Sequence, residues 1–204
     1  VRLSTAVAAN HGDIGSNAVD LSYSSSASTT NGATGAASTA MGGGTTASGS
    51  RSTAMGGGTT ASGSRSTAMG SGTEASASYS TAMGFFTTAS GIFSTAMGNV
   101  TTASGAGSTA MGYNTEASGY YSTAMGFETT ASASYSKAMG RNTTASDYGS
   151  LVIGQFNSSG SSATSATSFN TANTAFVIGN GLGQGVDASD AFSILFDGTT
   201  IIAG

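Results

Sequence analysis

Methionine marks the rhythm of this chain. All eight methionines fall at one phase of a 14-residue period, as Met41, Met55, Met69, Met83, Met97, Met111, Met125 and Met139. Each is the fourth residue of a Ser-Thr-Ala-Met-Gly stretch that begins at Ser38 and recurs at Ser52, Ser66, Ser80, Ser94, Ser108 and Ser122. Ser136-Lys137-Ala138-Met139-Gly140 and Ser150-Leu151-Val152-Ile153-Gly154 continue it in step. A second stretch, Thr45-Thr46-Ala47-Ser48-Gly49, lies seven residues into the unit and recurs at the same spacing. Small apolar and polar residues alternate within both stretches, which predicts strands. Thr, Ser and Gly are poor helix formers, and the apolar spacing lacks a 3.6-residue period. Each unit therefore reads as strand, two-residue corner, strand, two-residue corner. Helical repeats need about 33 residues or more, so a 14-residue unit fits one coil of a β-solenoid. Each strand then pairs in parallel with its copy in the next coil, about 4.8 Å away.

The alternation also assigns faces. Two strands of one thin coil pack closely only through small residues, so Ala40, Gly42, Ala47 and Gly49 are expected inside. Thr46 and Ser48 face water, and the row from Met41 to Met139, continued by Ile153, lies on an outer face. Monomers avoid contiguous apolar stripes of that kind. Burying each Met yields ~1.5–3 kcal/mol, against ~1–2 kcal/mol to order each residue's backbone. An Ala/Gly interior offers little apolar area by comparison. Association of several chains through the Met faces is the expected remedy, which makes Met41, Met55, Met69, Met83, Met97, Met111, Met125, Met139 and Ile153 the expected seam.

Composition narrows the function. Only 7% of the 204 residues are charged, and five are basic in a net charge of −4, too few for a nucleic-acid partner. Absent cysteine removes disulfides and thiolate metal sites, and absent proline suits a backbone whose N–H groups are wanted in ladders. No apolar run approaches the ~20 residues of a membrane span. A Gly/Ser/Thr/Ala-rich chain suggests a flexible linker by composition alone, but a linker has no reason to hold this register. The chain opens at Val1, without an initiator Met or a signal peptide, and reads as a piece of a longer protein.

These motifs resemble the head repeat of trimeric autotransporter adhesins, whose units read roughly SVAIG followed by AxG. Ser150-Leu151-Val152-Ile153-Gly154 and Ala175-Phe176-Val177-Ile178-Gly179 are the most similar stretches. The resemblance spans about residues 24–157, with 175–204 looser. It implies an all-β fold, a left-handed parallel β-roll, with three chains side by side as a homotrimer on the cell surface. The tail Ala191–Gly198 is similar to segments of phage-like and predatory-bacterium fibre proteins. Thr or Lys replaces the family's Val here, and Met its Ile, which implies a softer, more polar seam.

Along the chain, 1–23 reads as a lead-in or cap, with Asn17–Tyr23 a capping strand. Residues 24–157 form the repeats, the first coil (24–37) being degenerate but in phase through Ala33 and Gly35. Residues 158–174 form a Ser/Thr-rich connector or crossing loop, and 175–204 short strands with Gly-Asn-Gly and Asp-Gly turns. No catalytic set, cofactor site or metal site emerges. His11 and Asp13 are two donors in an expected solvated loop. Gly179–Gly183 lacks the Lys and helix of a phosphate loop, and no base is evident beside any Ser.

The informative variation lies at the corners. Early coils carry Gly43-Gly44, Ser50-Arg51, Gly57-Gly58 and Ser64-Arg65; later ones carry Phe85-Phe86, Ile92-Phe93, Tyr113-Asn114, Tyr120-Tyr121 and Phe127-Glu128. Tyr79, Phe93, Tyr121 and Tyr135 share one phase, and Phe85, Tyr113 and Phe127 another, so they are expected to stack as ladders. Phe85, Phe86, Phe93, Tyr113, Tyr120, Tyr121, Phe127 and Tyr135 are thus candidates for binding a glycan or envelope protein; packing against a neighbouring chain is the alternative. The leading reading is a trimeric surface-fibre adhesin segment that binds a target cell envelope or glycan or presents such a tip, extracellular at the cell surface or fibre tip, without membrane insertion. Its competitors are an ice-binding ladder through Thr46, Thr60, Thr88, Thr102, Thr130 and Thr144, interrupted by Glu74 and Glu116, and a plain spacer.

Overall fold

The computed structural model describes residues 8–158 and 165–202, and the chain divides into two compact units, Val1–Val100 and Thr101–Gly204. In the first unit, strands Val19–Tyr23, Thr39–Gly43, Thr53–Gly57, Thr67–Ser71, Thr81–Phe85 and Thr95–Asn99 lie side by side in that order. All their pairings are parallel, and from Thr39 on they place the Thr-Ala-Met-Gly residues on their own kind, Met41 on Met55 and Ala40 on Ala54 among them. A second sheet stacks the two-residue strands Thr46–Ala47, Thr60–Ala61, Glu74–Ala75 and Thr88–Ala89. The second unit repeats the scheme. Its long strands are Thr109–Tyr113, Thr123–Phe127, Lys137–Arg141 and Leu151–Gln155, and its short ones Thr102–Ala103, Glu116–Ala117, Thr130–Ala131 and Thr144–Ala145. Among the described residues there is no α-helix, only 3-10 turns at Ala8–Asn10 and Gly185–Asp187. The fold is an all-β parallel β-solenoid with one coil per 14-residue unit.

The interior is built from the smallest side chains. The rows of Ala40 and Ala47 are fully buried, and the rows of Ser38 and Thr45 close the same space. Several of the serines tie the corner: Ser38, Ser66, Ser80, Ser136 and Ser150 donate from Oγ to the carbonyl three residues earlier. The buried threonine hydroxyls of Thr45, Thr59, Thr73 and Thr87 have no protein partner.

Two expectations about the coil are corrected. Gly42 and its equivalents do not line the interior; they are partly or fully exposed. Their φ lies between +102° and +130°, which breaks the alternation of the strand and turns the chain into the corner. The second strand is also shorter than expected, two residues rather than five. Ser48 and Gly49 both donate to the carbonyl of Ala61, so the ladder ends there, and Ser52 N–H closes a turn on the Gly49 carbonyl.

Both ends depart from the period yet keep the stacking. Val19–Tyr23 pairs with Thr39–Gly43, with Asp20 opposite Ala40. Ala33 is buried, Gly32 bridges to Thr46, and Gly35 N–H donates to Ala47, so this stretch supplies the short-strand half of the first coil. At the other end, Thr174–Asn180 stacks on Leu151–Gln155, Val177 on Val152 and Ile178 on Ile153. Asp190–Leu195 and Thr200–Ile202 then add antiparallel. The connector expected at 158–174 lies partly outside the described residues; its part from Ser165 bonds through Ser165 and Ala166 carbonyls to Tyr148 and Ser134. The short sheet of the second unit stops at Thr144, where the Asn157 carboxamide replaces a strand. Its Oδ1 accepts from Thr144 N–H at 2.7 Å, and its Nδ2 donates to the Thr144 carbonyl at 3.0 Å.

Candidate binding surface

The corners are the part of the coil where side-chain identity is free, because their backbone is held by its own ladder. At the corner after the long strand, Gly58, Gly72, Phe86 and Val100 each donate N–H to the first corner residue of the preceding coil. At the other corner, Arg51, Arg65, Tyr79 and Phe93 donate in the same way to Ala36, Ser50, Ser64 and Ser78. Tyr121 and Tyr135 repeat this in the second unit, on Ala106 and Tyr120. The second residue of each corner is left-handed. Gly44, Gly58 and Gly72 meet that requirement, and Arg51, Arg65, Tyr79, Phe86, Phe93, Val100, Tyr121 and Tyr135 adopt it with φ between +49° and +61°. Bulky or β-branched residues there cost about 1 kcal/mol or more each.

That cost brings no burial within the chain. Phe93 is 61% exposed, and Phe86, Tyr121 and Tyr135 are exposed as well. The rings instead meet one another. Tyr79 stacks on Phe93 at 4.9 Å, Tyr113 on Phe127 at 5.0 Å, and Tyr121 on Tyr135 at 5.9 Å. Phe85 and Tyr120 stand edge-on to Phe86 and Tyr121, both at 4.4 Å. The Tyr121 phenol, by hydrogen bonding to Tyr120 and by its charge when ionised, holds the Tyr120 phenol above its ordinary range, with Tyr135 adding to it. All eight aromatic candidates are therefore exposed corner residues. In the first unit Phe85 meets Phe86, and Phe93 meets Tyr79. In the second, Tyr120, Tyr121 and Tyr135 form one cluster and Tyr113 with Phe127 another. Tyr148 joins Tyr135 at 5.4 Å, an addition hidden from the sequence because the ladder phase places it one residue off.

The Met row faces outward in both units. Met41 and Met55 are 39% and 36% exposed, and the remainder half-buried, Ile153 included. Leu21 pairs with Met41 and Ile178 with Ile153, so the stripe runs further than expected. Sequence spacing missed both because insertions separate them from the repeats. On the opposite sheet Glu74 stands exposed between Thr60 and Thr88, and Glu116 between Thr102 and Thr130.

His11 does not lie in a solvated loop, contrary to expectation; it is 7% exposed against the first coil. Its Nδ1 lies 3.2 Å from Ser22 Oγ and 3.7 Å from Asp20 Oδ2, while Ser22 donates to Asp20 Oδ1 at 2.6 Å. A base thus does stand beside one serine. The same ring nitrogen faces both groups, however, and the hydroxyl is spent on the carboxylate, so a relay from Asp through His to Ser is not formed. Asp13 is exposed and apart, and among the described residues no three metal-ligating side chains converge.

No curated protein matches the chain. The family model of the YadA head domain repeat (2 copies) matches residues 33–59, 61–87, 89–115, 117–136 and 131–157. These matches cover more than half of the chain and follow the coils described above. The chain belongs to the YadA head-repeat family, the head-type repeats of trimeric autotransporter adhesins.

Proposed function

We propose that this chain is a segment of a trimeric surface fibre that binds a glycan or protein of a target cell envelope through its aromatic corners. The observation that carries the reading is the exposed Phe and Tyr residues at left-handed positions that other coils fill mostly with Gly, Asn or a charged residue, and in one case with Val. Such a placement is costly, ring stacking alone offsets part of it inside the chain, and strain of this kind concentrates at functional sites. The outward Met stripe supports side-by-side assembly, since an apolar row along every coil is what a homotrimer would bury. Among the described residues no helix is long and apolar enough to cross a membrane.

The test has two stages. Light scattering on the purified chain should give three chain masses, and a monomer would overturn the assembly. Replacement of Tyr120, Tyr121 and Phe127 by Ser should then abolish retention on target cells or a glycan array while the mass stays unchanged. Loss of the assembly instead would reassign these corners to packing between chains. Unchanged binding would leave the segment a spacer.

A further inference from the structure

The five basic residues of the chain are sparse, yet two of them are stacked. Arg51 and Arg65 occupy the same corner position of successive coils, Arg65 N–H donating to the Ser50 carbonyl, next to Arg51. Both are exposed, and both are held at left-handed φ, +57° and +56°. Like charges in register repel, and among the described residues no carboxylate lies within ion-pair distance of either guanidinium. The next residue up the corner is Tyr79. Arg65 Nη1 donates to Tyr79 Oη at 2.6 Å, and its guanidinium carbon sits 5.2 Å from the Tyr79 ring centre. One of five guanidinium N–H groups is thereby used to fix the group, leaving the others for an acceptor. Phe93 stacks behind Tyr79.

We propose that Arg51, Arg65 and Tyr79 form a binding strip for an acidic polysaccharide, a glycan chain bearing carboxylate or sulfate groups. Guanidinium recognises either oxyanion through two parallel N–H bonds. The corner is open and not a pocket, so it suits a long ligand with repeated charges rather than a single ion. Two cations per chain are too few for the phosphates of a duplex. The aromatic residues that follow, Tyr79 and Phe93, offer rings and a hydroxyl to sugar C–H and O–H groups. Side-by-side copies would repeat the strip and raise avidity. This strip is separate from the Tyr120, Tyr121 and Phe127 corners and does not depend on their binding anything.

The experiment is retention of the intact chain on immobilised dextran sulfate, polygalacturonate and neutral dextran in a salt gradient, with duplex DNA as competitor. Retention on either acidic chain but not on neutral dextran is expected. Arg51→Gly with Arg65→Gly should weaken it roughly tenfold, while the thermal melt holds, because glycine suits both backbone positions. Lys137→Thr, which removes an exposed cation on a long strand instead of at a corner, should be retained like wild type. Equal retention of the double Arg variant, no retention of wild type on either acidic chain, or equally tight capture by DNA would each overturn the proposal.

Discussion

Gly56 and Gly57 are neighbours with opposite expected responses to one methyl group. A Cβ on Gly56 would lie 1.9 Å from the Gly70 carbonyl oxygen and 2.9 Å from its carbon, at a φ of +119°. Relief requires a shift of roughly 1 Å, which a parallel strand about 4.8 Å from its neighbour cannot make without stretching the ladder. Left-handed strain and the broken pairing together place the cost of Gly56→Ala at about 3 kcal/mol or more. For a chain of this size that is a fall in Tm of roughly 10 °C. A Cβ on Gly57 meets nothing within 4 Å, and Gly57 has no positive φ. Gly57→Ala should be neutral or stabilise by up to about 1 kcal/mol through the unfolded chain. Thermal melts by circular dichroism compare the two. Hydrogen exchange should also show early loss of protection at Gly58 and Gly72, whose N–H groups hold this corner. Equal melting of the two variants would refute the stacked-glycine reasoning.

Three further outcomes are expected. Thr59→Val replaces a buried hydroxyl without a protein partner and should stabilise by about 1 kcal/mol, seen as a rise in Tm. Asn157→Ala strips Thr144 of both partners at the end of the short sheet; a loss of about 1–3 kcal/mol in urea unfolding is expected, with faster aggregation from the bared edge. Because Tyr120 is held above its ordinary pKa in the folded chain, its contribution to stability is complete below the unfolded value and lost as pH rises through the folded one. Ultraviolet titration should show one late phenol that Tyr120→Phe removes.

The coil itself was legible because its register is written in the residues: Met41 on Met55 follows directly from a 14-residue step. The outward Met row and the aromatic ladders followed from the same step. What escaped prediction was set by backbone conformation and by insertions. Gly42 looked like an interior residue because alternation was carried one position too far, past the point where a positive φ ends it. Leu21 and Ile178 extend the stripe from outside the period, so no spacing rule reaches them. His11 was misplaced because its burial depends on Asp20 and Ser22, residues nine and eleven positions away that only the first coil brings near. At the corners the ring types were readable, whereas their left-handed backbone, which makes their presence informative, was not.

Because one carboxamide, that of Asn157, ends the short sheet, the number of coils before it is free to change over generations. Each inner coil pairs with the coils beside it, and the amide that ends the short sheet belongs to the last repeat, at the position Thr45 and Thr143 hold in earlier ones. Duplicating one 14-residue unit, such as Ser38–Arg51, would repeat the like-on-like pairing of the long strands and leave the terminator untouched. The number of coils becomes a quantity that recombination can adjust one unit at a time, each unit adding one strand spacing of about 4.8 Å to its sheet and its own pair of corners.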